Sequence, residues 1–143
     1  MARLGPRDDA ELGRLGEELA ARWLARRGAR IAARGARIAG VEIDLVAHTR
    51  SGPALVEVKT ARLPWLEGSR GLDPRFRPGL RVGWARLRRL RRARAAAGKD
   101  FRIDLLEVAL APDGSCRIRQ HVDLRRPLPA PGAGRTLEAR ACF

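Results

Sequence analysis

Val41-Glu42-Ile43-Asp44-Leu45-Val46-Ala47-His48 alternates apolar and polar residues, and Ala54-Leu55-Val56-Glu57-Val58-Lys59-Thr60 does so again after the turn-forming stretch Thr49-Arg50-Ser51-Gly52-Pro53. A period of two marks a strand with two unlike faces, and two such runs around a turn predict a hairpin. With strict alternation, Val41, Ile43, Leu45 and Ala47 share one face of the first strand and Glu42, Asp44, Val46 and His48 the other. In the second strand Leu55, Glu57 and Lys59 lie opposite Val56 and Val58. Register then decides whether the charged groups meet. Partner numbers that sum to 101 set Asp44 opposite Glu57, a sum of 103 sets Asp44 opposite Lys59, and an even sum puts them on different faces.

Outward from this hairpin, Leu12, Leu15, Leu19 and Trp23 recur at helical spacing between Asp8-Asp9, which suit a helix start, and Gly28, which suits a helix end. At about 100° per residue Glu17 falls at the margin of the buried arc and Glu18 on the solvent side. Residues 29–39 read as a weak strand around Gly35. Segment 61–79, with Pro64, Gly68, Gly71, Pro74, Pro78 and Gly79, reads as a long loop of the kind that is functional or mobile. A second helix follows over 80–97, with Leu80, Trp84, Leu87 and Leu90 as its apolar stripe and Arg86, Arg88, Arg89 and Arg92 on the other side. Residues 101–110 and 116–123 read as strands joined by Pro112-Asp113-Gly114-Ser115. The order α-β-β-β-α-β-β is that of an α/β domain, a mixed central sheet of about five strands flanked by helices. That domain covers residues 1–124, and the Pro/Gly-rich residues 125–143 read as a flexible tail.

Two carboxylates a few ångströms apart raise one another's pKa unless a cation lies between them. Hard oxygen donors suit Mg²⁺ or Mn²⁺, which polarise a phosphodiester and acidify a bound water. Lys59, two residues after Glu57, points to the same face and suits stabilisation of developing phosphorane charge. A lone strand acid is ordinarily a solvated residue on a half-exposed sheet. The set Asp44, Glu57 and Lys59, flanked by apolar residues, reads instead as a candidate catalytic site. His48 and His121 lack the spacing of a zinc site and read as surface or partly buried polar residues.

The rest of the composition fits a phosphate-bearing partner. The 143 residues contain 30 basic and 16 acidic side chains, a net charge of +14, which suits a polyanion such as nucleic acid. Lys59 and Lys99 are the only lysines, so a coding bias accounts for the choice of arginine but less well for the shortage of acids. Eleven arginines against Glu67 and Asp73 crowd residues 62–94, so the charge is a patch; Arg62, Arg86, Arg88, Arg89 and Arg92 are the candidate nucleic-acid contacts. Hydrophobic residues at 45% are enough for a core. No run approaches a membrane span, and Met1-Ala2-Arg3-Leu4-Gly5-Pro6 lacks the apolar region of a secretory signal. Cys116 and Cys142 make no disulfide framework. A cytoplasmic protein without membrane association is expected.

Asp44 followed thirteen residues later by Glu57-Val58-Lys59 resembles the Asp…Glu-x-Lys signature of the restriction-endonuclease-like superfamily. Three further segments extend the likeness to the UPF0102 (YraN-like) family over residues 12–124. Gly16-Glu17-Glu18-Leu19-Ala20 resembles its Gly-Glu-x-x-Ala helix, Glu42-Ile43-Asp44-Leu45-Val46-Ala47 its Gly-Glu-Ile-Asp-Leu-Ile segment, and Phe101-Arg102-Ile103-Asp104 its Arg-Phe-Asp strand. The resemblance implies a restriction-endonuclease-like fold akin to archaeal Holliday junction resolvases. It implies Asp44, Glu57 and Glu17 as metal ligands, Lys59 as the catalytic lysine, and Mg²⁺ or Mn²⁺ as cofactor; Glu42 would be an auxiliary acid. Three positions depart from the pattern. Val41 separates Gly40 from Glu42, the Asn of the first strand is Gly35, and the lysine of the second helix is absent, leaving Arg86 nearest. The expected function is metal-dependent endonucleolytic cleavage of DNA, in branched or otherwise structured form. The alternatives are a non-catalytic nucleic-acid-binding accessory protein of the same fold and an interaction protein whose arginines reflect coding bias. Junction-type nucleases cut two symmetric strands, so analogy at the level of the fold points to a homodimer.

Overall fold

Helix α1 spans Asp9–Arg26, with Asp9 and Glu11 in its first turn and Arg26 in its last, a charge order that complements the helix dipole. It stops at Gly28, whose φ of 87° is open to glycine; Ala29 N–H donates to Leu24 O and Gly28 N–H to Ala25 O, the paired bonds of a Schellman end. The computed structural model describes residues 9–62, 82–110 and 116–125, and the backbone of 135–141. The remaining elements are β1 (Arg30–Ile38), β2 (Val41–Thr49), β3 (Gly52–Arg62), α2 (Trp84–Ala97), β4 (Arg102–Leu110), β5 (Cys116–Val122) and β6 (Arg135–Ala141). This is an α/β fold built on a mixed sheet. The strands lie in the order β1-β2-β3-β4-β5-β6, antiparallel except for β3 and β4, which run parallel and are connected through the segment containing α2.

The mixed sheet of about five strands is present, and a sixth strand joins it from within residues 125–143, the stretch expected to be a flexible tail. Arg135-Thr136-Leu137-Glu138-Ala139-Arg140-Ala141 pairs antiparallel along β5, Cys116↔Ala141 to Val122↔Arg135. The segment does alternate, with Leu137, Ala139 and Ala141 at every second place, but the preceding Pro/Gly-rich run hides it and the edge of β5 supplies the partner. The proposed 112–115 turn, Leu80 and most of the 61–79 loop fall outside the described residues.

The sheet is covered on both faces. Under α1 lie Leu12, Leu19, Trp23 and Leu24 packed on Leu45, Ala47, Val56, Val58, Leu106 and Val108. Under α2 lie Leu87, Leu90 and Ala93 packed on Val41, Ile43, Val46, Leu55, Ile103 and Leu105. Two residues of the expected helical stripes are not in the core: Leu15 is 36% exposed and Trp84 52% exposed, its ring beneath the Arg91 guanidinium at 5.6 Å. Among the described residues no helix is long and apolar enough to cross a membrane.

One irregularity positions the site. Val41 and Ile43 pack on the α2 side but Leu45 and Ala47 on the α1 side, although all four are odd-numbered. Strict alternation therefore fails at Asp44, and the two faces assigned from sequence exchange there. On β1 the same reset separates Ala33 from Ala36, both packed on the α2 side, across Gly35. Arg34↔Leu45 and Ala36↔Ile43 keep register on either side. Gly35 has φ 60°, a conformation that Gly and Asn tolerate and most residues do not, so a Gly where the resembling family has Asn is conformationally equivalent. Val41, the other departure, pairs with Ile38 across an Ala39-Gly40 turn with φ of 50° and 74° and is fully buried, so it opens β2 without a bulge.

Candidate functional site

The β2–β3 hairpin closes on a two-residue turn, Arg50-Ser51, with Thr49↔Gly52 as the last pair and Leu45↔Val56 as the first. Every partner pair sums to 101, the register that directs Asp44 toward Glu57. The ladder stops one position short of them. Amides along β3 alternate sides, so Val58 N–H faces β2 as Val56 does but finds no backbone partner there. Asp44 takes it: Oδ2 accepts from Val58 N–H at 2.8 Å. The strand kink and the ladder's end thus leave one carboxylate between two strands, anchored through a single oxygen.

Helix α1 brings the next acid. Gly16 sits so close to β3 that a Cβ there would lie 1.7 Å from Thr60 Oγ1 and 2.7 Å from Thr60 Cβ and Cγ2. Only a residue without a side chain permits that approach, and Glu17 follows it. Glu17, Asp44, Glu57, Val58, Lys59 and Thr60 line one pocket of about 270 Å³, with Asp9, Leu12 and Gly13 at its helical wall. Glu18 turns away to Arg22 and Arg34. Glu42 is exposed, but its charge reaches Glu17.

The acids perturb one another. Burial first, then Glu57, raises the Asp44 pKa to about 6, with the Val58 amide and Arg86 opposing. Burial, Glu42 and Glu57 raise that of Glu17. Glu57, 3% exposed, is the most enclosed of the four and carries the cations. Arg86 Nη2 donates to Oε2 at 2.7 Å and Nε to Oε1 at 3.2 Å, a two-pronged clasp, while Lys59 Nζ stands 3.1 Å from Oε1. Arg86 Nη2 also donates to Glu42 O at 2.8 Å, tying α2 to β2 and β3 together. The clasp raises the Arg86 pKa.

Arg86 was expected on the outer side of α2 among nucleic-acid contacts, and its side chain instead reaches into the acidic cluster. It is half-buried, one residue before the buried Leu87. The missing helix lysine was the available signal. Arg88, Arg89 and Arg92 are exposed on α2. Arg62, at the end of β3, lies 3.8 Å from Asp9 Oδ1 at the rim of the pocket. Among the described residues no group of three or more His, Cys, Asp and Glu is gathered closely enough to hold a metal ion. Sequence reading did not find the roles of Gly16 and Gly35, nor a second buried polar group. Asp104, fully buried, accepts from Arg102 Nε, Gln120 Nε2 and Asp123 N–H. His121 pairs with Glu107 across β5 and β4 at 3.1 Å.

Fold and site together define an α/β protein whose mixed sheet and first helix present three carboxylates and a lysine in one pocket. The sequence profile described as "Uncharacterised protein family UPF0102" matches residues 16–108, and the chain belongs to this family. It is 38% identical over 115 residues to a UPF0102 protein of Symbiobacterium thermophilum, covering 76% of this chain and 90% of that one. A UPF0102 protein of Kosmotoga olearia is 37% identical over 110 residues, 71% and 86% of the two chains. One from Trichlorobacter lovleyi is 36% identical over 117 residues, 78% and 86%. No solved structure matches the chain.

Proposed function

We propose that this protein is a metal-dependent endonuclease of the restriction-endonuclease-like type, hydrolysing phosphodiester bonds in DNA of branched or otherwise structured form, in the cytoplasm and as a homodimer. The observation that carries the reading is the convergence of Asp44, Glu57, Glu17 and Lys59 on one pocket in which the carboxyls of Asp44 and Glu17 are held above their ordinary pKa. Mutually repelling carboxylates destabilise a fold and are a recurrent mark of a site that uses a cation.

Asp44, Glu17 and Glu57 are hard oxygen donors of the kind a divalent ion takes, although they are not gathered closely enough to hold one as they stand. Asp44 has one oxygen committed to Val58 N–H and one left, Glu17 has no hydrogen-bond or ion-pair partner among the described residues, and Glu57 would be a ligand only with the Arg86 clasp opened. Bound Mg²⁺ or Mn²⁺ would supply Lewis-acid polarisation of the phosphoryl oxygen and a water of lowered pKa. The chain's own residues do the rest. Lys59 supplies positive charge where the phosphorane develops it, and Arg86, once off Glu57, is a second cation at the same place. Arg88, Arg89 and Arg92 on the outer face of α2 hold the backbone by salt-dependent contacts.

Nicking of plasmid and four-way-junction DNA in Mg²⁺ or Mn²⁺ tests this. Cleavage is expected in wild type and should fall about 10²- to 10⁴-fold in Asp44→Ala and Lys59→Ala. One observation favours a second reading, a non-catalytic nucleic-acid-binding accessory protein: Glu57 is already neutralised by Arg86 and Lys59. DNA binding with no cleavage above that of the two variants, in either metal, decides for it.

A further inference from the structure

At the other end of α1 a larger cavity of about 470 Å³ opens between the last helical turn, the β2–β3 turn and the starts of β4 and the end of β5. Four guanidinium groups line it, from Arg26, Arg27, Arg50 and Arg102, with Ser51 and Gln120 among the polar wall and no carboxylate. Each arginine but one is held in a particular way. Arg102, at the floor, donates through Nε to both oxygens of Asp104 and through Nη2 to Thr49 Oγ1 at 2.9 Å. Arg27 lies over the Trp23 ring at 4.7 Å. The Arg50 guanidinium lies over Gly28, where a Cβ would come within 2.6 Å of its Nε. Among the described residues neither Arg26 nor Arg50 has an ion-pair partner, and both are exposed.

We propose that this cavity is a second phosphate-binding site, which takes backbone oxyanions of a nucleic-acid strand remote from the acidic pocket. Arg26 alone is explained by the negative end of the α1 dipole. Arg102 is held by Asp104 and Thr49, whereas Arg50, from the β2–β3 turn, is accounted for by neither. Guanidinium forks match phosphate oxygens, and several on one open wall suit a polymer of phosphates better than a single ion. Arg102 is balanced by Asp104 beneath it, but with no acid in the lining the charge of Arg26 and Arg50 has no partner among the described residues, in a chain of net charge +14. Seven residues of β3 separate the turn from Lys59, about 20 Å of extended chain. A strand in contact with both pockets therefore spans roughly six nucleotides at about 3.4 Å per phosphate.

The inference rests on the nucleic-acid part of the proposed function and not on cleavage, so it is tested without metal. A labelled duplex of about 20 base pairs, longer than that span, is titrated with the full chain in EDTA over a range of salt. Arg26→Gln/Arg50→Gln is expected to weaken binding about tenfold and to make the plot of log K against log salt shallower by about two. Its melting temperature should stay at the wild-type value. Should the double variant fail to fold, Arg50→Gln alone is expected to lower the slope by about one. Unchanged affinity and slope overturn the proposal. Loss of binding to phosphatidylglycerol vesicles with DNA binding intact also overturns it, and assigns the cavity to a membrane surface. Failure of the nicking assay touches neither result.

Discussion

At the N-terminal half of α1 the side chains gathered against the sheet are acids crowded together, with their cations drawn from β3 and α2. At its C-terminal end they are arginines spread over an open cavity, with the acid beneath Arg102, Asp104, fully engaged by Arg102, Gln120 and the Asp123 amide. The same helix and hairpin build both. The difference lies in coupling. In the acidic pocket Glu57 raises the pKa of both Asp44 and Glu17 and Arg86 opposes it at Asp44, because burial lowers the screening between them. The rim arginines of the second cavity stand in solvent and alter little until an anion arrives. Substitutions in the first pocket should therefore move stability and chemistry together, and substitutions at the rim of the second should move binding alone.

The sharpest contrast comes from Arg86→Met, which keeps the aliphatic stem but removes two of the charge-assisted bonds on a carboxylate only 3% exposed. Removing one partner of a buried pair strands the other, so unfolding free energy should fall by about 2–4 kcal/mol in urea titration. The rim substitution Arg26→Gln/Arg50→Gln should change it by less than about 0.5 kcal/mol. A small effect at Arg86 would mean that Glu57 is served by Lys59 and water alone, and the contrast would collapse.

Gly16→Ala probes the geometry beneath the acidic pocket. Three heavy atoms of Thr60 crowd the new methyl, so no rotamer of Thr60 clears it and α1 must lift. Such overpacking should lower stability by about 1–3 kcal/mol and carry Glu17 out of place, so any cleavage should fall more than the stability loss explains. Glycine at position 13, by contrast, meets nothing within 4 Å, and Gly13→Ala should be tolerated.

The smallest effect carries the opposite sign. Asp44 binds its proton more tightly when folded, at about 6, than its ordinary value of 3.8. Between those pH values the folded chain holds more protons than the unfolded one, so this group makes stability fall as pH rises from about 4 to 6, and the loss persists above. Asp44→Asn, whose amide oxygen still accepts from Val58 N–H, should therefore raise stability at pH 7 by about 1–2 kcal/mol in metal-free buffer, after allowance for partial exposure. The gain should vanish below pH 4. A destabilised variant at pH 7 would show that the charge is already balanced and would weaken the case for a cation-requiring site.

Much of the site was legible in the chain. Alternation in 41–48 and 54–60 found the hairpin, the turn limited its register, and Asp44, Glu57 and Lys59 stood out as charges in apolar strands. The helical wheel separated Glu17 from Glu18 because a helix repeats regularly. What the alternation could not supply was its own failure at Asp44, since a kink that keeps register leaves no mark in residue type beyond a single glycine on the neighbouring strand. Nor could it assign Arg86, one arginine among many on α2, to Glu57.

Local periodicity and residue chemistry were thus enough to determine five of the strands, both helices and most of the charged groups of the acidic pocket, because those depend on neighbours within a few positions. Tertiary structure alone decided the exchange of faces at Asp44, the depth at which Gly16 seats α1 on Thr60, the capture of Glu57 by a residue 29 positions away and the gathering of four arginines from three elements. Each depends on contacts between segments distant in sequence, and the distance of approach between packed elements is set by side-chain volume on both partners at once.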